Sequence, residues 1–444
     1  MTLGPLHGFR DFYPAELAER AHIMRAWRDV ARRFAFVEYD GPPLESLELY
    51  TRKSGEEIVG QLYNFKDKGD RDVALRPEMT PTVARMVGAR ANALRKPVRW
   101  FSMPQLFRYE RAQKGRLREH YQLNVDIFGE ADVTADAELV AVAIEIMRTL
   151  GLTHADVQVR ASDRRILMGW LAALGVPESA YPAAYAVIDK LGREPRDVAE
   201  EKLLKGGVPS GAVGAILDAA TQTLDGVAAL VAGSEAAAHV DAFRRFAEGV
   251  EALTGDGARW LRFDLSIVRG LAYYTGIVFE LFDAQGEHRA ICGGGRYDQL
   301  LKGLGGPDLP ALGFGMGDVV LGDLLRAKGL LPTEAPGPDF WITGNASGGI
   351  PLAMRAARDV RAAGFAVEYA LRAQKADKQF KAAQSAGAKY VLQLHEEFAE
   401  NQVVTVREAH RPSGGPSLVS FLPGADVALD QVLAAATTHR SDAF

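Results

Sequence analysis

One string constrains this chain more than any other: Arg269-Gly270-Leu271-Ala272-Tyr273-Tyr274-Thr275-Gly276. It gathers a cation, paired aromatics and two glycines into one short run. Arg269 offers a fixed fork of donors for a carboxylate or a phosphate. Tyr273 and Tyr274 offer flat apolar faces tipped with hydroxyls, and the glycines let backbone come close to a neighbour. Such a string suits a strand end that packs its tyrosines in a core. It also suits a ligand site, and only context decides between the two.

The context is ordered. Gly293-Gly294-Gly295-Arg296-Tyr297-Asp298 follows, and then Gly313-Phe314-Gly315-Met316-Gly317. Upstream stand Leu75-Arg76-Pro77-Glu78-Met79-Thr80-Pro81 and Phe107-Arg108-Tyr109-Glu110-Arg111. A glycine cluster alone usually marks a turn; here the clusters read as places where backbone passes close to a ligand. No Walker-type phosphate loop is present, and no dinucleotide fingerprint followed by a suitable acid.

A chain of 444 residues implies roughly two to four domains. Residues 15–35 read as an amphipathic helix, with Leu17, Ala21, Met24, Trp27, Ala31 and Phe34 at helical spacing and Pro14 suited to its first turn. Residues 98–107 and 122–128 are apolar, aromatic-rich runs flanking a charged stretch, a strand–loop–strand pattern. Residues 137–150 form a helix closed by Gly151. From about 163 to 255 the text turns rich in alanine and leucine at helical spacing, as in 164–174 and 212–224, with a break at Gly206-Gly207-Val208-Pro209. Strand text resumes at 260–267, 277–282 and 289–292. Residues 330–338 are a linker by composition. Beyond it, strands at 340–343, 365–369, 390–394, 403–407 and 418–421 are interleaved with helices at 352–363, 375–386 and 425–436, which argues for a small α/β domain.

Charge and cysteine content set limits. With 52 basic and 57 acidic residues the net charge is −5, no signature of a general nucleic-acid binder, although local patches on an acidic protein still bind phosphates. The single cysteine, Cys292, excludes an intramolecular disulfide and fits a reducing cytoplasm. It reads as a small buried residue rather than a nucleophile, because no activating site is evident. No apolar run of about 18 residues occurs, so no membrane span is expected, and the N-terminal text lacks a signal pattern.

The five strings stand in the order that class II aminoacyl-tRNA synthetases display them, and the chain resembles the histidyl-tRNA synthetase family. The resemblance covers about residues 5–160 and 258–325 well, 339–444 more loosely and the alanine-rich region poorly. It implies an α+β catalytic domain over residues 1–330: a class II antiparallel sheet with flanking helices, carrying a helical insert at about 163–255. It further implies a linker at 331–338 and a C-terminal α/β anticodon-binding domain at 339–444. The implied activity is that of a histidine–tRNA ligase: L-histidine and ATP, with Mg²⁺ held largely by the phosphates, give histidyl-adenylate. Histidine then passes to the 3′ end of histidine tRNA. A cytoplasmic homodimer is implied, with Gly41-Pro42-Pro43 resembling the motif that builds its interface, although these residues equally suit a plain turn.

The resemblance also implies roles. Arg108 and Arg269 would meet the α-phosphate and the amino-acid carboxylate. Glu78, Thr80, Gln122, Asp126, Tyr273 and Tyr274 would complete the histidine pocket, the tyrosines flanking the imidazole. Glu110, Arg116, Gly293, Gly294, Gly315 and Gly317 would line the ATP side, and Gln113, Lys114 and Arg118 would meet the tRNA acceptor end. In the C-terminal domain Arg372, Lys375, Lys378 and Lys381 recur at three-residue steps, suiting either an anticodon-arm patch or an ordinary solvated helix face.

Two positions depart from the pattern. Ala272 stands where the family carries an acid. Val320 stands where class II enzymes carry an arginine that stacks on adenine and reaches the γ-phosphate. Arg326 is the next cation along, and the sequence leaves open whether it substitutes. The second departure admits another reading, a non-charging paralogue that binds histidine as a regulatory subunit of ATP phosphoribosyltransferase. Such paralogues usually lack the anticodon-binding domain.

Overall fold

The computed structural model describes residues 3–54, 56–109, 115–268, 274–344, 349–395, 397–410, 418–422 and 426–441. The chain divides into two compact units, one built around residues 19–332 and one around 333–444.

The first unit is organised on a nine-stranded sheet. Its strands run in the order Val37–Glu38, Val98–Ser102, Glu119–Phe128, Ala311–Gly317, Cys292–Arg296, Ile277–Asp283, Val157–Asp163 and Leu261–Phe263, with Gln105–Phe107 paired to the first part of Glu119–Phe128. The six inner strands pair antiparallel, while the outermost pair at each end is parallel. The sheet is therefore antiparallel at its centre and mixed at its edges.

Two-residue alternation gives the sheet two unlike faces. On one, Leu123, Val125, Ile127, Phe279, Leu312, Phe314 and Met316 join a single large core. The helices Pro14–Arg33, Thr134–Thr149, Ala236–Thr254 and Asp318–Ala327 contribute to it. Trp27 is fully buried there, its indole Nε1 3.2 Å from Met316 Sδ. Gly249 brings Ala236–Thr254 so close to Thr134–Thr149 that an added Cβ would lie 2.9 Å from Ala137 Cβ. The last helix of the alanine-rich region is thus part of the main core. The other face carries His120, Gln122, Asn124 and Asp126, and the alternate residues Gly313, Gly315 and Gly317. The string Gly-Phe-Gly-Met-Gly is a strand whose large residues enter the core and whose glycines floor the open face.

Several elements differ from the sequence expectation. Residues 98–107 are two strands broken at Met103-Pro104, where proline has no N–H to give the ladder. The strand expected at 289–292 lies at Cys292–Arg296, because the glycine run itself is the strand. Glycine's weak strand preference hides it in the sequence. Only Leu261–Phe263 of the 260–267 stretch pairs. The helix expected over 212–224 stops at Leu217, and Thr223 caps the next one by accepting from Gly226 N at 3.1 Å. A small sheet of Leu44–Ser46, Asp72–Leu75 and Asn64–Lys66 was not anticipated.

The second unit is a five-stranded sheet in the order Val367–Tyr369, Phe340–Gly344, Tyr390–Leu394, Val403–Glu408 and Asp426–Ala428, parallel over the first three strands and antiparallel over the last three. Helices Gly349–Ala362, Ala376–Ser385 and Leu429–Ser441 accompany it. Residues 418–421 form a helical turn instead of a strand, with Leu418 N donating to the Tyr390 hydroxyl at 3.0 Å. Residues 425–436, read as one helix, begin with the edge strand Asp426–Ala428.

Candidate active site

The open face of the large sheet ends in a cleft of about 180 Å³. Its described lining includes Arg108, Arg116, Gln122, Gly293, Gly315 and Gly317, all candidates from the sequence, together with His120, Arg289 and Val320. Antiparallel register brings them together: Gly315 lies opposite Gly293 on one side and Asn124 on the other, and Gly317 opposite Gln122. A Cβ at Gly315 would meet Gln122 Cδ at 2.8 Å, so the glycine makes room for that amide. A Cβ at Gly317 would meet nothing within 4 Å, so the floor is open there.

Arg108 follows the strand Gln105–Phe107 and is held from two sides. Its Nε donates to Pro77 O at 3.0 Å, and its backbone N donates to Arg118 O at 2.9 Å. The first bond ties it to the turn carrying Glu78, just before the helix Thr80–Arg90 that begins at Thr80. Arg76 of that turn is structural. It is buried and donates to Gln105 O, Gly41 O and Asp40 Oδ1 at 3.0, 2.7 and 2.8 Å. His120 is pulled down to about 3, first by burial and then by the positive charges of Arg108, Arg10 and Arg116, so it is neutral at pH 7. The described lining thus contains three guanidiniums, a neutral imidazole and no carboxylate, which suits an anion.

Further along the strand from Gln122, Asp126 is 3% exposed and accepts a hydrogen bond from the Tyr297 hydroxyl. Burial pushes its carboxyl up to about 7, and the tyrosine bond opposes this in part. Its Oδ2 has no hydrogen-bond partner among the described residues. Gly313 must be glycine, since a Cβ would lie 2.3 Å from Asp126 Oδ1.

Other candidates lie elsewhere. Gly294 points away from the cleft, where a Cβ would meet Phe314 Cβ and Gly313 O at 2.4 Å, so packing requires this glycine. Tyr274 is buried with Val83, Val278 and Tyr297 and borders a different hollow, with Arg164 and Arg165. Arg118 lies over the Tyr109 ring at 4.5 Å. Arg326 does not line the cleft and pairs with Glu19 at 2.7 Å and Asp323 at 3.1 Å. Arg372, Lys375, Lys378 and Lys381 are exposed, the last two on Ala376–Ser385. Glu110, Gln113, Lys114, Arg269, Ala272 and Tyr273 lie outside the described residues.

Sequence reasoning passed over three residues. His120 and Arg289 line the cleft with no motif to announce them. Arg10 donates to Glu119 Oε1 at 2.6 Å and pairs with Asp318 at 3.0 Å, fastening the ends of two cleft strands. The alternation of 119–128 could have placed His120 beside Gln122, but nothing in the sequence announced Arg10.

A largely antiparallel sheet, with helices on one face and an arginine-lined cleft on the other, is the arrangement of a class II aminoacyl-tRNA synthetase. The family model for histidyl-tRNA synthetase matches residues 8–317, and that for the anticodon binding domain matches residues 343–415. A histidine–tRNA ligase of Opitutus terrae is 45% identical over 416 residues, 92% of this chain and 94% of that protein. One from Haloarcula marismortui is 40% identical over 406 residues, 90% and 92% of the two chains. The crystal structure of histidyl-tRNA synthetase from Nostoc shares the fold, with a TM-score of 0.82 at 22% identity over 99% of this chain and 100% of that one. A structure described as an ATP phosphoribosyltransferase regulatory subunit/histidyl-tRNA synthetase from Bacillus halodurans shares it with a TM-score of 0.71 at 21% identity, over 86% of this chain and 97% of that one. The chain belongs to the histidyl-tRNA synthetase family.

Proposed function

We propose that the chain is a histidine–tRNA ligase whose adenylation site is this cleft. The observation that carries the proposal is the gathering of Arg108, Arg116, Gln122, Gly293, Gly315 and Gly317 around one cationic cleft of a chain in this family. A carboxylate oxygen of histidine attacks the α-phosphorus of ATP, the bond to the bridging oxygen breaks, and pyrophosphate leaves. A ribose hydroxyl at the 3′ end of the tRNA then attacks the carbonyl carbon, and AMP leaves. Arg108 and Arg269 neutralise charge developing on the α-phosphate, which is where fixed cations lower the barrier most. Glu78, Thr80 and Gln122 hold the ammonium. Asp126 and Tyr273 surround the imidazole, with Tyr274 packed behind them against Tyr297, and the Oδ2 of Asp126, which has no hydrogen-bond partner among the described residues, suits a ring N–H.

Mg²⁺ would travel with ATP. No group of three metal-ligating side chains occurs among the described residues, and the described cleft lining offers no carboxylate. The phosphates would supply most of its ligands. Gln113, Lys114 and Arg118 would meet the acceptor end, Glu110 the ATP side, and residues 339–444 the anticodon arm, joined to a catalytic domain of residues 1–330 by a linker at 331–338. The insert at about 163–255 would belong to the catalytic domain. A cytoplasmic homodimer, with Pro42 in its interface, completes the proposal. No helix among the described residues is long and apolar enough to cross a membrane.

The test is histidine-dependent ATP–pyrophosphate exchange run alongside charging of total tRNA. Both should proceed with histidine alone among the amino acids. Val320 favours one competing reading, the regulatory paralogue of ATP phosphoribosyltransferase. Histidine binding without exchange or charging would select it, whereas the match of residues 343–415 to an anticodon-binding domain weighs against it.

A further inference from the structure

The arginine that class II enzymes place after the last glycine string is replaced by Val320, and Arg326 is engaged with Glu19 and Asp323. The cleft carries another cation close to Val320. A methyl group built at Gly115 would lie 3.5 Å from Val320 Cγ2 and 3.7 Å from Arg289 Cδ, so both side chains border the same small space. Arg289 lines the cleft and is exposed to it. Among the described residues it has no hydrogen-bond or ion-pair partner.

Its backbone is anchored on both sides. The Asp283 carboxylate accepts from the N–H groups of Gln285, Glu287 and His288 at 2.9, 3.3 and 2.6 Å. Ile291 N then donates to Leu281 O at 2.8 Å and resumes the ladder. A long side chain with a solvated head, mounted on a fixed turn at the rim of a cationic cleft, keeps its guanidinium available for an incoming anion. A guanidinium can stack on a base and fork to phosphate oxygens, the two tasks that the missing arginine would perform.

We propose that Arg289 contacts the nucleotide in place of the absent arginine, meeting the adenine ring or the terminal phosphates of ATP. The proposal rests on the adenylation reading of the cleft. It deepens that reading by naming the residue that lets a chain with valine at position 320 hold ATP.

The experiment compares wild type, Arg289→Ala and the double variant Arg289→Ala/Val320→Arg, in full-length protein. It measures pyrophosphate exchange with ATP and histidine varied separately, and ATP binding by calorimetry. Arg289→Ala should lower kcat/KM for ATP by about a hundredfold, leave KM for histidine within about twofold and leave the thermal midpoint unchanged. Restoring an arginine at 320 should recover about tenfold or more of the loss. Exchange and ATP affinity both within about twofold of wild type in Arg289→Ala would overturn the inference. If wild type shows no histidine-dependent exchange, the adenylation reading fails and calorimetry decides the role of Arg289. A tenfold weaker affinity in the variant then upholds nucleotide contact, and equal affinity, or no ATP binding by wild type, rejects it.

Discussion

The two faces of the large sheet each bury a carboxylate, and they treat it differently. On the helix-covered face, Asp136 accepts from Arg296, which also donates to Glu130 O at 2.9 Å and Asp132 O at 3.1 Å. On the open face, among the described residues, Asp126 receives the Tyr297 hydroxyl and its second oxygen has no hydrogen-bond partner. Burial raises both carboxyls, Asp136 to about 6 and Asp126 to about 7. Charge on the covered face is closed by protein partners, as a structural group must be when water is excluded. On the open face bonding capacity is left over, which makes sense where a polar ligand arrives.

The largest expected effect tests the closed side. Arg296→Ala strands Asp136 without its cation and should cost about 3–5 kcal/mol of stability, read from urea unfolding. A loss below about 1 kcal/mol would mean that the pair is not structural, and the contrast between the faces would fail. Next comes the open side. Arg108→Ala should lower pyrophosphate exchange by about 10²–10³-fold, as expected for removal of one preorganised charge donor. The same variant should unfold within about 1 kcal/mol of wild type, since it gives up a single hydrogen bond to Pro77 O. A stability loss matching that of Arg296→Ala would show that the two arginines do not differ in kind.

The sequence made part of this contrast legible. The ordered strings marked residues that meet at the cleft, because close approach of backbones demands glycine there, but they did not show that the two glycine strings are themselves strands. It did not reveal which glycines serve a ligand and which serve packing. Gly293 and Gly294 are adjacent and compositionally identical, yet strand alternation sends them to opposite faces. Nor did it reveal Arg10 or Arg289, whose roles depend on contacts far along the chain with Glu119 and Asp318, and with the wall that carries Val320. Long-range partners of this sort leave no local periodicity to read. In the second unit, the helical turn at 418–421 was hidden because its four residues have strand-like composition, while its first residue is tied to the distant Tyr390.

A pair of glycine variants sharpens the contrast at intermediate size. Gly294→Ala would drive a methyl to within 2.4 Å of Phe314 Cβ and Gly313 O, and should cost about 1–3 kcal/mol as an overpacked site. Gly317→Ala meets nothing within 4 Å and should leave stability within about 0.5 kcal/mol, a typical value for a substitution that disturbs no packing. It should, however, raise the KM for ATP by narrowing the floor. Equal destabilisation in the two variants would erase the difference between the faces.

The last effect is a pH dependence on the open face. Asp126 has its carboxyl raised from 3.8 to about 7, so the folded protein holds the proton more tightly than the unfolded chain does. Its contribution to stability is fully present below about pH 4 and is lost as pH rises toward 7. Above that, the buried charge is a standing cost. Asp126→Asn removes the charge and keeps an acceptor for Tyr297. The variant should match wild type near pH 4 and exceed it at pH 8 by up to roughly 4 kcal/mol, measured by urea unfolding across that range. Histidine activation should fall in the same variant, because an amide replaces the carboxylate proposed to face the imidazole. A variant less stable than wild type at pH 8 would mean that the ionised carboxylate is stabilised by partners within the protein.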